Sequence, residues 1–132
     1  MILGSFHSKV NTKIIESNII EDIYIHINEV ELERIIDNNI SNGIKYALSN
    51  KPITINLTKT NDTVTLSFKT YGNPIKNKEK VFEKNYREDE AKRGLGLGLN
   101  MVKGICEKYD IAYSVSYENE QNIFTYRLKT QN

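Results

Sequence analysis

The stretch "RIIDNNISNGIKYA" (Arg34 to Ala47) lies within a set of apolar residues, Leu32, Ile35, Ile36, Ile40, Ile44, Ala47 and Leu48, that recur at intervals of three and four. That period predicts an amphipathic helix whose apolar stripe must be buried against another layer. The same stretch carries Asn38, Asn39, Ser41, Asn42 and Gly43, all mediocre to poor helix formers. Burial of the stripe outweighs such propensity costs. What it leaves unexplained is why the polar side of the helix is built from amides.

The flanking segments supply the layer. "DIYIHINE" alternates Ile23, Ile25 and Ile27 with Tyr24, His26 and Asn28 and reads as a half-buried strand. The helix runs from about Glu29 to Ser49 and is closed by "SNKP", whose proline disfavours helix in the residue before it. "ITINLTKTNDTVTLSFKTYG" is two Thr/Ile/Val-rich alternating runs around "TND", a hairpin signal. "GLGLGLNMVKGICEKYD" opens on glycines and becomes helical near Leu99, with Met101, Val102, Ile105 and Cys106 as its apolar face. "AYSVSYENEQNIFTYRLK" is a closing hairpin turning at "ENEQN". Residues 1–20 are weakly patterned, with Ile14–Ile15 and Ile19–Ile20 as short strand pieces. The segment "NPIKNKEKVFEKNYREDEAKR" has seven Lys/Arg and five Asp/Glu, with Ile75, Val81, Phe82 and Tyr86 as anchors, and reads as mobile with one short helix. Strands joined by hairpins with two inserted helices predict an α/β fold, a two-layer sandwich with a mixed sheet covered on one face by helices.

Length and charge exclude several classes. At 132 residues the chain fits a single domain with its own core. A net charge of +1 gives no footprint for nucleic acid or an anionic membrane. No apolar run approaches the ~18–20 residues needed to span a bilayer. "MILGSFHSKV" lacks the basic and long apolar regions of a signal peptide. Cys106 is alone, which excludes an internal disulfide and suits a reducing compartment, so the expected location is cytoplasmic.

Helical geometry places Asn38, Asn42 and Lys45 within roughly 60° of one another, opposite Ile36, Ile40, Gly43 and Ala47. Exposed helix faces ordinarily favour Glu, Lys, Gln and Ala; amides cost propensity and offer no charge pairing. An amide oxygen with a lysine one turn on suits a hydrated metal and a phosphate chain. "RGLGLGL" (Arg93 to Leu99) is neither a Walker loop nor the dinucleotide fingerprint. It offers close-approaching backbone N–H groups just before a helix, an anion-binding arrangement.

"NNISNGIKY", "GNPI", "VFEKNYRED" and "RGLGLGL", in that order, resemble the N, G1, F and G2 boxes of the ATP-binding domain of sensor histidine kinases. That fold is shared with type II topoisomerase, Hsp90 and MutL ATPases, and the resemblance runs from about Glu29 to Lys129. It implies ATP and Mg²⁺ as ligands, with Asn42 as the metal-coordinating amide and Asn38 lining the same site. Lys45 would reach the phosphates and Tyr46 would flank the base or ribose. Arg87 would be a lid arginine near the γ-phosphate, within an ATP lid spanning 72–93. Gly94, Gly96 and Gly98 would let backbone N–H groups hold the triphosphate, with Arg93, Leu97 and Leu99 completing that wall. Thr70, Gly72 and Ile75 would form the base end.

This chain departs from the family's G1 pattern, Asp-x-Gly-x-Gly. Thr70 stands where the adenine-reading Asp is expected and Pro74 replaces the second glycine. Neither His7 nor His26 has the acidic context of a phosphoacceptor. Asn38 holds the place where hydrolysing members carry a catalytic Glu, and Asp37 is one position off, so no water-activating base is expected. The resemblance implies a protein-histidine kinase domain acting on a histidine of a separate dimerisation domain, and through it on a response regulator. The isolated domain is then expected to be monomeric and to make no direct membrane contact, the parent chain being anchored in the inner membrane. Two alternatives share the fold: a serine kinase and binding switch of the anti-sigma type, against which Asn38 argues, and a non-catalytic docking module.

Overall fold

A computed structural model describes residues 2–3, 15–19, 23–25, 27–46, 50–83 and 98–129. The elements are β1 (Ile2–Leu3), β2 (Ile15–Ile19), β3 (Ile23–Tyr24), α1 (Glu29–Tyr46), β4 (Ile53–Thr60), β5 (Thr63–Tyr71), α2 (Gly98–Lys108), β6 (Ala112–Glu118) and β7 (Gln121–Lys129). Five strands form one sheet in the order β2-β4-β5-β7-β6. β2 runs parallel to β4 and the other pairs are antiparallel, so the sheet is mixed as expected.

Local chemistry sets the element boundaries. Asn28 caps α1, its Oδ1 accepting the N–H groups of Val30 (2.9 Å) and Glu31 (3.2 Å). The β6–β7 hairpin turns through Asn119 and Glu120, both with positive φ (52° and 64°). That is the primed two-residue turn whose twist matches the strands it joins. At the end of α2, Asp110 adopts φ 55° and the Ile111 N–H reaches back to the Cys106 carbonyl (2.8 Å). This six-to-one bond is the Schellman arrangement.

The helices cover the sheet face that carries Ile53, Ile55, Leu57, Val64, Leu66, Phe68, Phe124, Tyr126 and Leu128, all buried. From α1, Leu32, Ile35, Ile36 and Ile40 enter that layer; from α2, Leu99, Val102, Ile105 and Cys106 do. Phe68 meets Tyr126 edge to face at 6.0 Å between ring centroids, a favourable aromatic geometry.

Three expectations shift. The "DIYIHINE" strand shrinks to Ile23–Tyr24, and by Asn28 the chain is committed to capping α1. Ile15 and Ile19, one from each isoleucine pair before it, open and close a single strand, β2, which pairs with β4 along the sheet edge. In the charged segment after Ile75 two of the expected anchors hold, and the shift lies in the local conformation of residues 77–83. Val81 and Phe82 are buried, with the Phe82 ring 4.8 Å from Tyr113 and 5.9 Å from Phe124. Lys80 N–H donates to the Asn77 carbonyl and Glu83 N–H to that of Lys80, so residues 77–83 form tight turns rather than a helix.

Candidate functional site

The amide stripe of α1 meets the beginning of α2. The two helices run antiparallel, fixed at one end by Glu31, whose Oε1 accepts from Tyr109 Oη (2.6 Å) and Lys108 Nζ (3.0 Å). These bonds hold the Glu31 carboxyl below its ordinary value, the Tyr109 hydroxyl contributing most. At the other end the Asn38 side chain donates from Nδ2 to the Arg34 carbonyl (2.8 Å) and turns its Oδ1 towards Gly98. A Cβ at position 98 would lie 2.9 Å from that oxygen, so a larger residue there would displace the Asn38 amide. The opening N–H groups of α2 have no intrahelical acceptors and carry the positive end of its dipole. An amide oxygen and an anion-attracting helix terminus therefore converge, an arrangement that suits phosphates with a bound cation.

The neighbouring amide does different work. Asn39 is buried, its Nδ2 donating to the Ile35 carbonyl (2.8 Å) and its Oδ1 accepting from Tyr126 Oη (3.0 Å). Burial pushes the Tyr126 phenol well above its usual range, so it stays a neutral donor. This bond ties α1 to the middle of β7 and fixes the helix rotation that turns Asn38 and Asn42 outward.

A second wall stands at the end of β5. Thr70, Asn122 and Tyr117 are consecutive cross-strand partners on β5, β7 and β6. Thr70 and Asn122 are both buried, and a Cβ on Gly43 of α1 would sit 2.9 Å from Thr70 Cγ2. The turn after β5 is fastened to the β6–β7 hairpin. Gly72 N–H donates to the Glu120 carbonyl (3.1 Å), Tyr117 Oη to the Gly72 carbonyl (3.0 Å) and Asn122 Nδ2 to the Asn73 carbonyl (2.8 Å). Ile75 N–H donates to Asn122 Oδ1 (3.1 Å). Just beyond, Asn77 Oδ1 is a buried acceptor without a donor among the described residues.

Of the residues singled out from sequence, Asn38 and Asn42 lie half-buried and Lys45 exposed on one side of α1, and Tyr46 ends that helix. Thr70, Gly72 and Ile75 gather at the β5 wall, while Gly98 and Leu99 open α2, Leu99 facing inward. Arg87, Arg93, Gly94, Gly96 and Leu97 lie outside the described residues, as do His7 and His26. Among the described residues no group of three or more His, Cys, Asp or Glu could hold a metal by itself. The donor set thus fits a cation bound through an amide such as Asn42 together with a ligand's oxygens. Cys106 is no nucleophile: burial, and secondarily the charge of Glu107, push its thiol up to about 12. Sequence reading passed over Asn39, Tyr117 and Asn122. The inward register of β7, in which Asn122 precedes Phe124, Tyr126 and Leu128, is the signal that would have found Asn122.

The family model described as histidine kinase-, DNA gyrase B-, and HSP90-like ATPase matches residues 27–132. Sensor histidine kinase HprS of Escherichia coli (strain K12) is 31% identical over 111 residues, 82% of this chain and 25% of that protein. Sensor histidine kinase YcbM of Bacillus subtilis (strain 168) is 33% identical over 114 residues, 81% of this chain and 37% of its own length. The chain therefore spans well under half of these curated relatives. The solved structure of a mycobacterial sensor histidine kinase, MprB, superimposes with a TM-score of 0.79 at 20% identity, covering 91% of this chain and 83% of that one. With that family model matching residues 27–132, most of its length, the chain belongs to the histidine kinase-, DNA gyrase B- and HSP90-like ATPase family.

Proposed function

We propose that this domain is the ATP-binding catalytic unit of a sensor histidine kinase, and that it presents the γ-phosphate of Mg²⁺-bound ATP to a histidine on a separate dimerisation domain. The observation that carries the reading is the approach of the Asn38 oxygen to Gly98, which sets the amide stripe against the N-terminus of α2. In this reading Asn42 supplies an oxygen to the metal, Lys45 and the glycine-rich segment hold the phosphates, and the turn at 72–75 faces the base. The bound Mg²⁺ supplies charge neutralisation on the phosphates. Transfer breaks the bond between the γ-phosphorus and its bridging oxygen, releases ADP, and forms a phosphorus–nitrogen bond to the acceptor imidazole. The chain's residues contribute positioning and electrostatics, which dominate phosphoryl transfer.

Neither histidine of the chain has acceptor context, and no helix of the described residues is long and apolar enough to cross a membrane. A cytoplasmic domain that serves a response regulator through its partner domain follows from the same reading. The test is incubation with γ-labelled ATP, alone and with a helical histidine-bearing domain added. Acid-labile phosphate should appear on the added domain only. Acid-stable phosphate on a serine of a partner would favour the serine-kinase alternative, and no transfer with no nucleotide binding would favour the docking module.

A further inference from the structure

The turn that follows β5 departs from regular pairing, yet its backbone is held at four points by the β6–β7 hairpin. Asn122 accounts for two of them. Its side chain is 7% exposed and both ends of its amide are occupied, Oδ1 by the Ile75 N–H and Nδ2 by the Asn73 carbonyl. A primary amide offers one acceptor and a donor pair, as a peptide unit offers one of each. Here it continues the β5–β7 ladder past Tyr71, where the strand ends. Tyr117, its cross-strand neighbour, adds the bond to the Gly72 carbonyl. Pro74 has no N–H to give and a fixed φ, so the turn has few internal bonds of its own and depends on these external ones.

We propose that Asn122 is a positioning residue for nucleotide binding: it holds the 72–75 turn in its ligand-facing shape before the ligand arrives. The inference rests on the reading of that turn as the base-facing wall. Because Oδ1 and one Nδ2 hydrogen are committed to the turn, the amide's observed bonds act through the turn. Its value is preorganisation, since a turn already ordered costs the ligand nothing to order.

The test compares wild type with Asn122→Ala and with Asn122→Thr, the second being a strand-favouring residue whose single hydroxyl replaces at most one of the two bonds. Residue-resolved hydrogen exchange on the ligand-free protein reads the clamp directly. The Ile75 amide should exchange faster in both variants while Leu66 and Phe68, inside the β5 ladder, keep their protection. Calorimetry with a non-hydrolysable ATP analogue, ADP and inorganic tripolyphosphate reads the consequence. Losing two net hydrogen bonds should weaken both nucleotides by about tenfold in Asn122→Ala, less in Asn122→Thr, and leave tripolyphosphate unchanged. A general structural role would instead weaken all three ligands and deprotect the whole ladder, which overturns the proposal. So does unchanged Ile75 exchange, or faster exchange with unchanged nucleotide affinity. A wild-type protein that binds no nucleotide removes the underlying reading, and is told apart because the Ile75 comparison would still report the clamp.

Discussion

Gly43 and Thr70 meet where α1 packs against the wall at the end of β5, and their contact can be tested by Gly43→Ala. In an unobstructed helix interior alanine is better than glycine by about 1 kcal/mol. Here the added Cβ would stand 2.9 Å from Thr70 Cγ2 and 3.1 Å from Ile53 Cδ1. Ile53 meets it with the end of a flexible chain; Thr70 meets it with a branched, stiff one. Overpacking of this kind costs about 1–3 kcal/mol, so the net change should run from nearly neutral to about 2 kcal/mol destabilising. At about 2.1 cal/mol/K of unfolding entropy per residue over 132 residues, 2 kcal/mol lowers Tm by about 7 °C. Thr70→Ser removes the obstructing methyl and keeps the hydroxyl. In that background Gly43→Ala should become stabilising, raising Tm by about 4 °C. The coupling between the two positions, read from four urea or thermal unfolding curves, should be about 1–3 kcal/mol. An equal shift from Gly43→Ala in both backgrounds would refute the contact.

Three further outcomes are expected. Tyr126→Phe leaves the buried Asn39 oxygen without its donor, so it should cost about 1–3 kcal/mol in urea unfolding, whereas Tyr126→Phe with Asn39→Leu should recover much of the loss. Glu31→Gln should lower stability at neutral pH. The depressed carboxyl contributes above its unfolded value of 4.5 and loses that contribution as pH falls through its lower folded value, so wild type and variant should converge there in a pH series of melts. Thr70→Asp should tighten ATP relative to GTP by about tenfold in calorimetry, because a carboxylate accepts the adenine amino hydrogen in a charge-assisted bond. The same change should lower the Tm of the ligand-free protein by burying a charge at a position 9% exposed.

The two long helices, both hairpins and the outward set of α1 were legible because each has its own period or turn chemistry. Asn38 and Asn42 could be placed by counting angles. Asn39 could not be separated from them, since its bond to Tyr126 joins residues 87 positions apart and no local pattern encodes it. β2 was legible only as two short pieces because Glu16, Ser17 and Asn18 interrupt any apolar alternation, and an edge strand needs little of it. Val81 and Phe82 stood out as anchors and are buried, but the tight turns of residues 77–83 have no period by which the sequence could announce them. Asn122 and Tyr117 were missed for a related reason: their partners lie in the turn at 72–75, far along the chain.

The most direct measurement is calorimetric titration of the protein with a non-hydrolysable ATP analogue, with and without Mg²⁺, in wild type and Asn42→Ala. The wild type should bind with the high-micromolar affinity expected of a site lacking the adenine-reading carboxylate, and more tightly with Mg²⁺. Asn42→Ala should lose the Mg²⁺ dependence with its ligand-free Tm nearly unchanged, since its side chain lies on the outward stripe. Absence of binding by the wild type, or equal Mg²⁺ dependence in both proteins, would contradict a nucleotide site on this helix.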